Sequence, residues 1–359
     1  MKTPSLYNVI GLMSGTSLDG LDVAYCRFRF NKAWSFQIVD AKTYDYSLPW
    51  RNKLSEAHNL PAESLQQLHA EYGNFLGSRC LQFIRDHKLK KIDFIASHGH
   101  TIFHQPENGF TFQLGDGSHL HAVTGLPVVF DFRSLDVALG GQGAPLVPMG
   151  DKLLFSNYEV CLNLGGIANL SMTGNEQREA FDVCFCNMPM NHLVRQNDQA
   201  FDRDGKGASS GSINLWMLAA LNKCYALYRK SRPSLTREMF NKVLKPILDH
   251  PAVSLEDKLR TLCESITDEI VRALPRSGKK ASLLATGGGA LNTFLIGLLS
   301  EKLAGKTQVI VPQKRIIEFK EAMVFAFLGL LCVRNEINVL KSVTKARQDS
   351  CTGIRVGFS

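Results

Sequence analysis

Apolar and polar residues alternate along two stretches separated by about half the chain. In residues 7–30, Val9, Ile10, Leu12 and Met13 form a short apolar run, and the turn Ser14-Gly15-Thr16-Ser17 follows. Leu21, Val23 and Tyr25 then alternate with Asp22, Ala24 and Cys26, and Phe28 and Phe30 with Arg27 and Arg29. Short apolar runs bounded by Gly and Ser predict strands, and two in succession predict a hairpin. Residues 158–172 repeat the design: Val160, Leu162 and Leu164 alternate towards Gly165-Gly166, and Ile167, Leu170 and Met172 leave it. Two such hairpins suggest an internal duplication. In residues 282–292, Leu283 and Leu284 close a strand, Thr286-Gly287-Gly288-Gly289 forms a loop, and Ala290 opens a helix. Strand, glycine loop and helix in that order present backbone N–H groups to a phosphate.

Helical spacing marks 61–86 (Leu65, Leu68, Tyr72, Phe75, Leu76), 213–228 and 255–274, and a long apolar helix is expected over 321–339. Strands mixed with helices throughout predict an α/β fold. A length of 359 residues accommodates two or three domains. No low-complexity linker separates them, and the first crossing is expected in 132–143, where DFRSLDVALGGQG turns from strand to loop.

Composition narrows the class. Hydrophobic residues are 45% and charged residues 21%, which excludes a disordered or collagen-like chain. The apolar run from Ala322 to Val333, bracketed by Lys320, Glu321 and Arg334, falls short of the ~20 residues a bilayer helix needs. The opening MKTPSLYNVIGLMSGTS lacks the apolar core and small-residue cleavage site of a secretory signal. The nine cysteines form no CxxC pair, so they read as reduced thiols of a cytoplasmic protein. The net charge of +8 is scattered and not interleaved with aromatic residues, which argues against nucleic acid and leaves a mild field suited to a nucleotide or a carboxylated sugar.

Candidate chemistry gathers on the turns. In Gly15-Thr16-Ser17-Leu18-Asp19-Gly20, small residues permit close backbone approach, hydroxyls can donate to phosphate oxygens, and Asp19 and Asp22 offer oxygen ligands to Mg²⁺. The segment is neither a Walker loop nor a dinucleotide fingerprint, and a plain polar hairpin turn has the same composition. Asn163, Gly165, Gly166, Ile167, Ala168 and Asn169 read either as a second phosphate-facing turn or as a packed bulge. Gly287, Gly288 and Gly289 alone are weak evidence; the conjunction of three glycine turns in one α/β chain points to a nucleotide cleft. Asp182, after the short strand ending Ala180-Phe181, is a candidate general base or an N-cap or turn residue. Glu321 is read as opening the long helix, where the helix dipole alone would favour a carboxylate. His98, His100 and His104 lack converging partners for zinc and read as loop histidines near substrate. Arg133, between Asp131 and Asp136, suits a carboxylate clamp or an internal ion pair.

The segments GLMSGTSLDGLD at 11–22, SHGHTIFH at 97–104, DFRSLDVALGGQGAPLVP at 131–148, NLGGIANL at 163–170, FDVCFCN at 181–187, FDRDGKGA at 201–208, GGGALN at 287–292 and EAMVFAFL at 321–328 occur in the order seen in the anhydro-N-acetylmuramic acid kinases, which this chain resembles over most of its length. The resemblance implies a two-lobed actin-like (ribonuclease-H-like) fold with ATP in a central cleft. It places residues 1–133 with 323–359 in one lobe and 134–322 in the other. It implies that a water opens the 1,6-anhydro ring of a muramic-acid sugar while the freed O6 attacks the γ-phosphate of ATP, giving N-acetylmuramic acid 6-phosphate and ADP in cell-wall recycling. Residue by residue, it implies Gly15, Thr16, Ser17, Leu18, Asp19, Gly20, Leu21 and Asp22 at the ATP phosphates with Mg²⁺ on Asp19 and Asp22. Asn163, Gly165 and Gly166 would form the second phosphate turn, and Gly287, Gly288 and Gly289 the nucleotide loop. Asp182 would activate water and Glu321 orient substrate. His98, Arg133, Gly141 and Gln142 would lie on the substrate side, and a homodimer is implied by the resemblance alone. The sequence departs from the family at Cys184-Phe185-Cys186, where Gly-Pro-Gly is usual, at Asn191 for Asp, and at His100 for Gln. These changes keep open a kinase of another anhydro or amino sugar, and a catalytically silent nucleotide-binding relative.

Overall fold

A computed structural model describes residues 5–15, 17–174, 177–275 and 281–358. The strands are β1 (Ser5–Ser14), β2 (Gly20–Asn31), β3 (Ala33–Asp45), β4 (Phe94–Gln105), β5 (Phe110–Leu114), β6 (Val128–Phe130), β7 (Val160–Leu164), β8 (Ile167–Gly174), β9 (Gln177–Phe185), β10 (Ala281–Thr286), β11 (Thr307–Ile310) and β12 (Ile354–Val356). The chain divides into two compact units, one running to Phe155 and resuming at Phe319, the other Ser156–Glu318. Residues 134–155 and 319–322, expected in the second lobe, therefore pack within the first unit. The reason is local: Asp136 accepts hydrogen bonds from Gly143 N–H (2.8 Å) and from the Thr344 hydroxyl (2.7 Å), tying the segment after β6 to the C-terminal residues of the same unit.

In the first unit the sheet order is β12-β6-β4-β1-β2-β3, with β5 added on β4. β1 pairs antiparallel with β2 and parallel with β4. One face buries Ile10, Leu12 and Val23 against Leu68, Tyr72 and Leu76 of the helix Ala62–Asp86. The opposite face meets the helix Lys314–Val333, with Phe28 against Phe327 (5.3 Å between ring centres). Burying apolar side chains on both faces supplies the main stabilisation, roughly 25 cal/mol per Å² removed from water.

β4 carries a slip that matters for the site. Leu12 pairs with Ser97, but Ser14 pairs with His100, so β4 has one residue more than β1. Gly99 takes that position at φ +75°, where a side chain would be strained and its Cβ would lie 2.5 Å from the Leu114 carbonyl oxygen. Residues two apart share a face in a regular strand. The bulge sends His98 and His100 to opposite faces: His98 packs on Phe325 with the rings tilted (4.5 Å between ring centres) and His100 approaches Tyr72 (6.4 Å). The two rings cannot share a metal.

In the second unit the order is β11-β10-β7-β8-β9. β7 and β8 pair antiparallel, β8 and β9 likewise, and β10 runs parallel to both β7 and β11. The core joins Leu162, Leu170 and Phe185 to Leu221 and Tyr225 of the helix Leu215–Ser231 and to Ile266 of the helix Leu255–Ala273. Asn214 caps the first of these helices through Met217 N–H (2.9 Å), and Ser254 the second through Asp257 N–H (3.1 Å).

Each unit thus has a first strand with an antiparallel hairpin pair on one side and two parallel strands on the other. β1 carries β2-β3 and β4-β6; β7 carries β8-β9 and β10-β11. This duplicated ribonuclease-H-like order matches the α/β expectation and gives the repeated hairpin a structural meaning. Among the described residues no helix is long and apolar enough to cross a membrane.

Two local expectations are corrected. The long helix starts at Lys314 rather than Glu321 and ends at Val333 rather than 339. Ile317 and Phe319 bury ahead of Glu321 and extend the helix upstream, so the first-turn dipole reading of Glu321 falls. Asn335, at φ +55°, breaks the helix downstream. Asp182 lies inside β9, paired with Asn169, so it is neither an N-cap nor a turn residue.

Candidate functional site

The turn between β1 and β2 is closed by Leu18 N–H donating to Gly15 O (3.3 Å), with Leu18 at φ +60°. Thr16 lies outside the described residues. Ser17 and Asp19 are exposed, while Leu21 is buried in the core. Gly20 and Asp22 open β2, and the Asp22 carboxylate accepts the hydroxyl of Thr43, its cross-strand partner, at 2.6 Å. The two aspartates are therefore unequal: Asp22 is engaged within the sheet, and Asp19 reaches solvent.

A second cluster lies on the other side of β4 in the same unit. His98 donates from Nδ1 to the Gly99 carbonyl (2.9 Å) and accepts at Nε2 from Arg133 Nε (3.0 Å). That pairing fixes one neutral tautomer. Burial, and then the Arg133 charge, hold the ring's pKa well below the ordinary histidine value. Arg133 also donates from an Nη to the Gly143 carbonyl (2.5 Å). Burial lowers Arg133 to about 10, with Glu321 and Asp136 pulling it up. Gly141 is buried and Gln142 exposed, and the Gln142 N–H is held by the Thr344 carbonyl (2.7 Å). Glu321 keeps solvent access. The protein around it pushes its carboxyl above the usual range, while Arg133 and then Lys320 draw it down. His98, the Gly143 carbonyl and Glu321 thus form one electrostatic group centred on the Arg133 guanidinium.

In the second unit the two remaining glycine segments come together. A Cβ on Gly287, which sits at φ +79°, would lie 2.5 Å from Asn163 Oδ1 and 2.8 Å from the Leu164 carbonyl, so only glycine fits. Asn187 Nδ2 donates to Leu164 O (2.9 Å), and its Oδ1 would stand 3.0 Å from a Cβ on Gly289. The carbonyls of Gly165 and Gly166 accept from the backbone N–H groups of Asn187 (3.0 Å) and Cys186 (2.8 Å). Beside this junction opens a cavity of about 510 Å³ lined by Gly288, Gly289, Asn187, Asn191, Asp202, Asp204, Asn292 and Lys314. Sequence reading gave no role to Asn187, Asn292 or the 201–204 loop; the available signals were the motifs FDVCFCN, GGGALN and FDRDGKGA that contain them.

Asp182 stands on the edge strand of the same sheet, in a recess of about 100 Å³ shared with Arg229, Arg232 and Glu269. Its Oδ2 accepts the Leu235 N–H (2.9 Å). Burial pushes its carboxyl up, and the Leu235 hydrogen bond acts against that push. Glu269 is neutralised by Arg229 (2.7 Å) and Arg272 (2.7 Å), and Arg232 lies over the Phe181 ring (3.8 Å).

The departures after Asp182 are accommodated by the fold. Cys184 and Phe185 continue β9 into the core, and Cys186 takes φ −124°, which needs no glycine. Burial raises both thiols, so neither is a nucleophile. Among the described residues no group of three or more His, Cys, Asp or Glu converges to hold a metal unaided.

The family model described as "Anhydro-N-acetylmuramic acid kinase" matches residues 7–356. An anhydro-N-acetylmuramic acid kinase of Vibrio parahaemolyticus is 35% identical over 372 residues, covering 99% of each chain. Its namesake in Sulfurimonas denitrificans is 32% identical over 365 residues, covering 96% of this chain and 98% of that one. Among solved structures, the activator of the 2-hydroxyisocaproyl-CoA dehydratase from Clostridium difficile with bound ADPNP is similar at a TM-score of 0.43 and 12% identity, covering 89% of this chain and 92% of that one.

Proposed function

The chain belongs to the anhydro-N-acetylmuramic acid kinase family, and from that premise we propose that it uses ATP to open and phosphorylate 1,6-anhydro-N-acetylmuramic acid during peptidoglycan recycling in the bacterial cytoplasm. A water oxygen adds to C1, the C1–O6 bond breaks, and O6 takes the γ-phosphoryl group, leaving N-acetylmuramic acid 6-phosphate and ADP. The observation that carries the nucleotide half of this reading is the junction of Asn163, Leu164, Asn187 and Gly287 beside a 510 Å³ cavity.

We assign the phosphate contacts to residues 15–22, Asn163, Gly165 and Gly166, and the nucleoside to the cavity beside Gly287, Gly288 and Gly289. Mg²⁺ needs few protein oxygens, because it is commonly held by one or two carboxylates plus substrate phosphates. Asp19, exposed at the turn, fits that demand, and the metal would supply charge neutralisation there. Asp22 already bonds Thr43 and is the weaker candidate.

Asp182 is assigned as the base that takes the proton of the attacking water, since a carboxyl raised by burial is a stronger proton acceptor than an ordinary one. Glu321 is assigned to orient the sugar, with His98, Arg133, Gly141 and Gln142 on its side. Positive charge develops at C1 as the ring opens, and carboxylates favour it.

Purified protein with Mg-ATP and the anhydro sugar is expected to release one ADP per 6-phosphosugar formed, and in ¹⁸O-water the label should appear at C1 and not in the phosphate. ADP release without sugar phosphate, or label in the phosphate, would remove this assignment. A panel of anhydro and amino sugars then fixes the substrate, a different best substrate favouring the alternative kinase reading.

The glycine junction gives a further expectation. Gly287→Ala forces a side chain into φ +79° and against Asn163 and Leu164, which should cost about 2 kcal/mol of stability. Urea unfolding measures that loss, and nucleotide titration should show weaker binding in parallel.

A further inference from the structure

Behind the turn between β1 and β2 lies a buried chain of hydroxyls that the reaction as assigned does not use. Tyr46 OH donates to Ser14 Oγ (2.7 Å), Ser14 Oγ meets His100 Nδ1 (2.8 Å), and Tyr46 OH meets Tyr72 OH (2.5 Å). All four side chains are buried: Ser14 is 2% exposed and His100 3%. Tyr46 has one proton and gives it to Ser14, so Tyr72 donates to Tyr46, and with the His100 ring proton on Nε2 the Ser14 hydroxyl donates to Nδ1. In that tautomer His100 is the terminal acceptor of a one-way chain. It reaches Ser14 only because the bulge at Gly99 turns it away from the face His98 occupies.

We propose that His100 is a positioning residue: by accepting the Ser14 hydroxyl it fixes the last residue of β1 and so the placement of the turn that follows. Ser14 is paired on both sides, with Leu21 of β2 and His100 of β4, and the turn departs from the next residue. Without the ring, the Ser14 hydroxyl lacks its acceptor in a layer closed to water. A buried polar group left so moves to find another partner. The segment that would move begins at Gly15. The inference rests on the reading of residues 15–22 as the phosphate turn.

The test uses the full-length protein with His100→Ala, His100→Asn and Tyr46→Phe, assayed with Mg-ATP and sugar varied separately. Asn places a carbonyl oxygen close to where Nδ1 sits and is the conservative rescue. His100→Ala is expected to lower kcat roughly tenfold and to raise KM for ATP, with KM for the sugar unchanged, since small misplacements of reacting groups carry costs of that order. His100→Asn should recover activity to within about threefold of the parent, and Tyr46→Phe should fall between, by the same reasoning. Unchanged kinetics in His100→Ala, equal impairment of the Ala and Asn variants, or a matching rise in KM for the sugar would overturn the proposal. If His100→Ala does not fold, parental kinetics in Tyr46→Phe overturn it instead. Asp19→Asn separates the two levels. If that variant leaves ATP affinity unmoved, the phosphate reading of the turn fails. If it weakens ATP while His100→Ala does not, the turn stands and the positioning role is lost.

Discussion

Asp182→Asn is expected to reduce sugar-dependent ADP release by about 10³-fold, within the range that a positioned general base contributes, and to leave the affinity for Mg-ATP nearly unchanged. The asymmetry follows from what the substitution removes. Asn keeps an oxygen for the Leu235 N–H, so the hydrogen bond at 2.9 Å survives. It removes the negative charge and with it the ability to take a proton. The effect on stability has the opposite sign. Burial raises the folded-state pKa of Asp182, so the fold favours the protonated acid, and that preference costs stability once the pH rises above the raised value. At neutral pH, Asp182→Asn should therefore melt no lower than the parent, which calorimetry can check. The same direction governs rate: a base works deprotonated, so kcat should climb with pH through the raised pKa and then level off. Full activity in Asp182→Asn would remove the base assignment, and a large drop in melting temperature would recast Asp182 as structural.

How much of this was legible in the sequence depended on whether a residue's role is local. The helix Ala62–Asp86 declares itself through period, because one face is buried and the other is not, and the two hairpins through short apolar runs bounded by small turn residues. β3 did not, because most of its residues are half-buried or exposed without a regular period, and only Ile38 and Tyr44 reach the core. β9 was read too short because Asp182 interrupts its apolar character, yet cross-strand pairing with Asn169 carries the strand through it. The helix carrying Glu321 was read as starting late because Lys314, Arg315 and Lys320 mask the buried Ile317 and Phe319. The site was legible as motifs and illegible as contacts. Nothing local reveals that Arg133 meets His98, 35 positions away, or that Asn187 braces Leu164. Those contacts are set by strand order, and strand order is a property of the whole sheet.

Arg133→Met should lower kcat/KM for the sugar by about 10²-fold, the loss expected when a supporting group lets the reacting geometry drift by an ångström. The guanidinium holds two diverging partners, His98 Nε2 at 3.0 Å and the Gly143 carbonyl at 2.5 Å, and its charge reaches Glu321. Met fills much the same volume and leaves all three unsupported. Arg133→Lys should not rescue the loss, because one ammonium cannot reproduce a planar fork aimed at two acceptors. The pH profile supplies an independent readout. Arg133 draws the Glu321 carboxyl down against the push of the surrounding protein. Without it, the Glu321 pKa rises further, and if the sugar is oriented by the ionised carboxylate, the acid limb of kcat/KM must move to higher pH. His98 shifts the other way in charge: the Arg133 cation is one of the causes that hold its ring neutral, so its removal eases protonation and frees Nε2. Glu321→Gln, compared at a pH on the plateau, separates the two contributions, because it removes the Glu321 part of the acid limb, leaving that of Asp182, with the His98–Arg133 bond in place. An acid limb that stays put in Arg133→Met would show that Glu321 does not act as an anion in this reaction.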